Sequence, residues 1–180
     1  MKEIAMHILD LLQNSIRAEA RQIQLNVTAD AVSDTLTLEC MDNGCGMNAE
    51  MLSKVSDPFF TTRATRKVGL GLPLLKQHAE QTGGSLTMQS VCGEGTIVKA
   101  VFGLSHWDRQ PMGDLPGAFI LTASVHPEIR FILRYKSETV DFVFDTEEVN
   151  AVLGSAALQH PAVIRDLKEL VEANLEGRVE

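Results

Sequence analysis

Ile4, Ile8, Leu11, Leu12 and Ile16 fall three or four residues apart, which predicts an amphipathic helix over residues 3 to about 19. His7, Asp10, Asn14 and Arg17 follow one another at +3, +4 and +3 and so share another face of it. The period then drops to two. Ile23, Leu25 and Val27 alternate within 22–28, as do Leu36, Leu38 and Cys40 within 35–41, so two strands are expected around the polar loop 30–34. Asn48 can cap a short helix over 49–55. A second long helix is expected over 70–81, with Leu72, Leu75 and Ala79 inward and Gly83-Gly84 ending it. Strands over 85–91 and 96–102 flank a tight turn, Cys92 to Gly95.

From Gly103 to Gly117 the pattern breaks around two prolines and three glycines. Beyond it come a helix over 115–125, a hairpin of strands over 129–135 and 139–145, and a helix opened by the Asp145/Glu148 capping box and closed at Gly154. A last helix over 161–176 carries Pro at its first position. The expected organisation is therefore a main domain at 1–104, a linker at 105–117 and a small C-terminal α/β appendage at 118–180.

Charge narrows the classes of partner. The 180 residues carry a net charge of −8, which argues against broad binding to nucleic acid or anionic membrane. The segment from Gly103 onward holds seven basic and thirteen acidic residues, so most of the excess lies in the C-terminal part. No apolar run approaches the ~20 residues of a membrane span, and Glu3, His7 and Asp10 interrupt any leader-like core. Cys40, Cys45 and Cys92 show no metal-ligand spacing, so reduced thiols in a cytoplasmic protein are expected.

Candidate chemistry gathers between Asp42 and Leu72. The string DNGCGM (42–47) places one acid before two glycines; DPFFTT (57–62) follows, and GLGL (69–72) runs into a helix. Backbone N–H groups and the dipole at that helix start can hold phosphate. As a ligand group, Asp42 would accept from the exocyclic amine of adenine; as a turn residue it would bond its own backbone. Gly44 and Gly46 permit close backbone approach. Arg63, Arg66 and Lys67 either clamp a terminal phosphate or are solvated. Thr96 opens a strand, where β-propensity alone explains it. On the first helix, Asp10, Asn14 and Arg17 make either a solvated polar stripe or a line suited to Mg-phosphate: a water-polarising acid, an amide oxygen for Mg2+ and a guanidinium for phosphate.

With these residues assembled, residues 4 to 102 resemble the GHKL ATPase superfamily, which includes sensor histidine kinases, anti-sigma kinases, type II topoisomerases, heat-shock chaperones and MutL-type repair proteins. DLLQNS is similar to its N-box, DNGCGM to its adenine-binding box, DPFF to its Phe box, GLGL to its second glycine box, and GEGT to its last motif. The resemblance implies an α/β two-layer sandwich with a mixed β-sheet and helices on one face. It also implies ATP and Mg2+ as ligands, with Asn14 on the metal and Asp42 on adenine. Gly44 and Gly46 would line the base; Gly69, Leu70, Gly71 and Lys67, with Arg17, would attend the phosphates. Thr96 would help hold adenine through water, and Asp10 would be the general base.

The run from DPFFTT to GEGT, together with Arg17, is most similar to histidine kinase catalytic domains. Asp10 fits hydrolytic members and anti-sigma kinases instead, and Lys67 stands where a glycine is usual. No histidine lies in a His-acid-x-x-x-Pro phosphoacceptor context. The expectation is a Mg-ATP-binding protein that passes the terminal phosphate to an unidentified protein partner or to water. The alternatives are a nucleotide-gated binding module with little catalysis and an anti-sigma-type serine kinase.

Overall fold

The structure is a computed structural model, described here for residues 2–55, 71–154 and 156–175. The first helix, α1 (Ile4–Arg17), buries Ile4, Ile8, Leu11 and Leu12 as its spacing requires. Glu3 makes no side-chain cap, so the first amides find partners elsewhere: Ile4 N–H donates to Pro111 O at 2.9 Å and Ala5 N–H to Met112 O at 2.8 Å. The proline- and glycine-rich stretch before residue 115 thus lies against the start of α1.

Two strands follow, β1 (Gln22–Asp30) and β2 (Thr35–Asp42), then a short helix, α2 (Ala49–Lys54), whose first turn is capped by the Asn48 side chain accepting from Met51 N–H. After the second long helix, α3 (Gly71–Gln81), come β3 (Ser85–Val91), β4 (Gly95–Gly103), α4 (Leu115–Val125), β5 (Arg130–Lys136), β6 (Asp141–Asp145), α5 (Thr146–Leu153) and α6 (Pro161–Leu175). Asp145 caps α5 through Glu147 N–H at 2.9 Å.

The strands form one six-stranded sheet in the order β3-β4-β2-β1-β5-β6. Six strands form three sequence-local antiparallel pairs, β1–β2, β3–β4 and β5–β6, and β2 and β4 join two of them antiparallel. But β1 and β5 pair in parallel, with Ile23 beside Phe131, Leu25 beside Leu133 and Val27 beside Tyr135. The sheet is therefore mixed, as expected. The C-terminal segment expected as an appendage adds its two strands to this same sheet.

Strand alternation decides where the core sits. Ile23, Leu25, Val27 and Ala29 of β1, and Leu36, Leu38 and Cys40 of β2, point to one face and are buried; Gln24, Asn26, Thr37 and Glu39 point to the other. The buried face joins α1, α3, α4 and α6 in one hydrophobic cluster. Phe119 of α4 meets Phe131 and Phe144 edge-to-face at centroid distances of 5.9 and 6.3 Å, so α4 is seated across β5 and β6 by aromatic contacts. The opposite face is polar, with Asn26 Nδ2 donating to Glu39 Oε2 across the strand pair at 3.0 Å.

Candidate functional site

At one end of the buried face the apolar alternation gives way to polar residues. Asp42 continues the inward row Leu36–Leu38–Cys40, Thr96 stands directly opposite it on β4, and Ser90 stands opposite Thr96 on β3. The last turn of α1 passes over this end. Between them lies a cavity of about 330 Å³, lined among others by Asn14, Ser15, Arg17, Asp42, Gly46, Gly71 and Thr96. That volume suits a ligand of nucleotide size.

Asp42 is fixed on both oxygens. Gly44 N–H donates to Oδ1 at 2.9 Å, and Ser15 Oγ donates to Oδ2 at 2.8 Å. The first contact is the local turn that a loop aspartate often makes; the second comes from α1 and orients the carboxylate from across the chain. A carboxylate with a bond to each oxygen still has lone pairs free for a ligand. Beneath it Cys40 is fully buried, and burial pushes its thiol up to about 12, which makes it a packing residue with no thiolate chemistry.

The glycines of the loop serve protein contacts. A Cβ on Gly44 would come within 2.5 Å of Ala18 O, and one on Gly46 within 2.0 Å of Val91 O, where φ is +62° besides. Gly44 is buried against the end of α1, whereas Gly46 reaches the cavity wall. The loop is thus clamped between α1 and the β3–β4 turn, a clamp completed by Cys45 N–H to Ala18 O and Gly93 N–H to Cys45 O, both at 2.8 Å.

Along α1, Asn14 and Arg17 line the cavity, and Arg17 Nη2 donates to the Asn14 carbonyl oxygen. Asp10 lies one turn earlier, beside the start of α3: its Oδ2 is 2.9 Å from where a side chain on Gly71 would begin. His7 does not belong with them. It is buried, its Nε2 sits 2.8 Å from His78 Nδ1 of α3 and 3.1 Å from Gln110 Oε1, and its Nδ1 has no hydrogen-bond partner among the described residues. Burial, with the neighbouring His78, lowers the His7 pKa to about 4.

Lys67, Gly69, Leu70, Arg63 and Arg66, along with the Phe59-Phe60 pair, lie outside the described residues. Two further polar residues of the site were not singled out in the sequence: Ser15 and Ser90. Each carries a signal in hindsight of periodicity, being a hydroxyl on an otherwise apolar row, after Leu11 and Leu12 on α1 and after Leu86 and Met88 on β3.

Among the described residues no group of three or more His, Cys, Asp or Glu side chains could hold a metal. A hard divalent cation held by one amide oxygen, phosphates and water is compatible with that donor set, and Asn14 is the only cavity-lining amide among the described residues.

A family model described as histidine kinase-, DNA gyrase B- and HSP90-like ATPase matches residues 2–106. The chain belongs to this family. Sensor histidine kinase ZraS of Salmonella typhimurium is 33% identical over 91 residues, half of this chain and 19% of the relative. Sensor kinase CckA of Brucella abortus is 40% identical over 68 residues, 37% of this chain and 7% of the relative. The chain spans less than a fifth of the length of the first curated relatives it matches. The crystal structure of the N-terminal domain of a DNA repair protein covers 86% of this chain and 57% of its own, with a TM-score of 0.58 at 15% identity, a likeness of fold. The chain is thus an ATPase-family domain whose sequence relatives are sensor kinases, built on a mixed α/β sheet. No described helix is long and apolar enough to cross a membrane.

Proposed function

We propose that this chain binds Mg-ATP in the cavity between α1 and the Asp42 end of the sheet and directs its terminal phosphate to a partner protein or to water, in the manner of histidine kinase catalytic domains. The observation that carries the reading is that Asp42, at the end of β2, and Asn14, within α1, line one cavity. Asp42 would accept from the adenine amine, with Thr96 beside it. Asn14 would hold Mg2+ through its amide oxygen, and the ion would neutralise phosphate charge. Arg17 would then turn from Asn14 to phosphate, and the start of α3 at Gly71, with Gly69, Leu70 and Lys67 ahead of it, would supply amides and a cation.

Asp10, beside Gly71, would orient the attacking hydroxyl or water. The remaining work is positioning and electrostatics, which carry phosphoryl transfer in general. The partner is a protein carrying the acceptor group, as the sensor-kinase relatives suggest; the net charge of −8 disfavours nucleic acid. Three free cysteines suit a cytoplasmic setting.

Calorimetric titration with ATP, ADP and GTP in Mg2+ tests the binding reading, and a phosphate-release assay with and without candidate partners tests the chemistry. Binding of ATP and ADP in preference to GTP is the expected result. A protein that binds none of the three would refute the proposal.

A further inference from the structure

Ser90 has no role in the reading above, yet its hydroxyl is the most fully engaged in the site. It accepts from Met47 N–H at 2.8 Å, lies 3.0 Å from Gly95 O, and lies 2.9 Å from Thr96 Oγ1. A serine hydroxyl has one proton and two lone pairs. Gly95 O can only accept, so the Ser90 proton belongs there. Met47 N–H fills one lone pair. The contact with Thr96 then needs the threonine proton, which fills the other. Every capacity of Ser90 is used, and Thr96 keeps only lone pairs.

The same accounting applies across the strand. Asp42 and Thr96 are opposite one another on β2 and β4, and directly opposed side chains lie about 5 Å apart. Asp42 has only lone pairs to offer, and Ser15 has already given its proton to Oδ2. The polar end of the cavity therefore presents acceptors from both strands. A purine 6-substituent set between the two must bring donors: a 6-amino group has two N–H bonds to offer, a 6-oxo group has none.

We propose that Ser90 is a specificity-determining residue of the nucleotide pocket: by taking the Thr96 proton it keeps Thr96 an acceptor, and so strengthens the preference for a 6-aminopurine over a 6-oxopurine. The inference rests on the Mg-ATP reading. Ser90 acts through Thr96 and is a positioning residue; it touches no ligand itself. It also ties three pieces together, the glycine-rich loop at Met47, the β3–β4 turn at Gly95 and the strand at Thr96. Simple loosening of those pieces would weaken all nucleotides alike. A change in base preference would not follow from loosening.

The test is the ratio of ATP to inosine triphosphate affinity, measured by calorimetry with Mg2+ on the full chain. In Ser90→Ala, Thr96 is free to donate to the 6-oxo oxygen, and the ratio should fall by about tenfold, the scale of one hydrogen bond to a ligand. Ser90→Thr keeps the hydroxyl and should keep the ratio. Thr96→Val alone should lower the ratio, and adding Ser90→Ala to it should change the ratio no further. An unchanged ratio in Ser90→Ala, or the same fall in the Thr96→Val background, overturns the proposal while leaving ATP binding in place. If Ser90→Ala does not fold, an unchanged ratio in Thr96→Val overturns it equally. A wild type that binds neither triphosphate sinks the nucleotide reading, and this inference with it.

Discussion

Ser15 Oγ donates to Asp42 Oδ2 at 2.8 Å, joining the last turn of α1 to the end of β2 across 27 residues of sequence. The residue before Ser15 is Asn14, so one turn of helix both lines the cavity and aims the Asp42 carboxylate. In Ser15→Ala the carboxylate keeps only its local bond from Gly44 N–H. Loss of a hydrogen bond to a charged group costs ~1.5–3 kcal/mol, so ATP affinity should fall by at least about tenfold in a calorimetric titration. Asp42→Asn should go further and abolish measurable binding, because an amide there would set a donor against the adenine amine. Wild-type affinity in Asp42→Asn would show that the base lies elsewhere.

Gly44 makes a second, purely steric prediction. Its missing Cβ would stand 2.5 Å from Ala18 O and 2.7 Å from Ala18 Cβ, backbone and first side-chain atom, neither of which can swing aside. Gly44→Ala must push the loop away from α1, at a cost of ~1–3 kcal/mol in a well-packed setting. The melting temperature should drop by several degrees, and nucleotide affinity should fall with it because Asp42 accepts from the Gly44 amide. A variant with unchanged melting temperature would mean that the loop is not clamped there.

Much of this arrangement is readable along the chain because its neighbours in space are neighbours in sequence. β1–β2 and β3–β4 are hairpins with alternating apolar positions, and α1 shows its apolar stripe in five residues, four of them buried and Ile16 partly so. The pairing of β5 with β1 is not readable in this way. Parallel strands share no turn, and the partners lie more than a hundred residues apart, so the segment after 117 reads as separate until the sheet is seen. His7 shows the limit of helical spacing from the other side. It falls in line with Asp10 and Asn14, yet α3 and the stretch carrying Gln110 close over it, and it becomes a core residue. Asn14, Asp42 and Thr96 could be proposed from motif residues, whereas Ser15 and Ser90 matter through hydrogen bonds that only tertiary packing creates.

In the proposed mechanism Asp10 serves the chemistry and not the binding. Its carboxylate lies beside Gly71 at the start of α3 and is not among the residues lining the cavity, so replacing its charge should leave the base-binding end undisturbed. Asp10→Asn is expected to bind ATP within a few-fold of wild type and to turn over ~100-fold or more slowly, the range for loss of a general base. Gly71→Ala should perturb the same contact from the other side, since its Cβ would meet Asp10 Oδ2 at 2.9 Å. Single-turnover phosphate release measures both, and undiminished rates in Asp10→Asn would remove Asp10 from the mechanism.

His7 gives the fold a dependence on pH. Gln110 Oε1 only accepts, which assigns the His7 proton to Nε2 and leaves Nδ1 a buried base with no partner among the described residues. Burial, then His78, lowers the His7 pKa to about 4, and burial lowers that of His78 as well. The unfolded chain therefore binds more protons than the folded one between the ordinary histidine value of 6.5 and about 4. Stability is complete above about pH 6.5 and declines as pH falls toward 4. Carboxylates with lowered values, such as Asp30, titrate below their ordinary 3.8 and so stay out of this window. Urea midpoints measured from pH 7.5 to 4.5 should decrease for the wild type by an amount on the order of 2 kcal/mol in unfolding free energy. His7→Gln keeps a donor toward Gln110 and cannot titrate, so its midpoints should fall less steeply. Parallel slopes for the two proteins would place the acid sensitivity somewhere other than the α1–α3 contact.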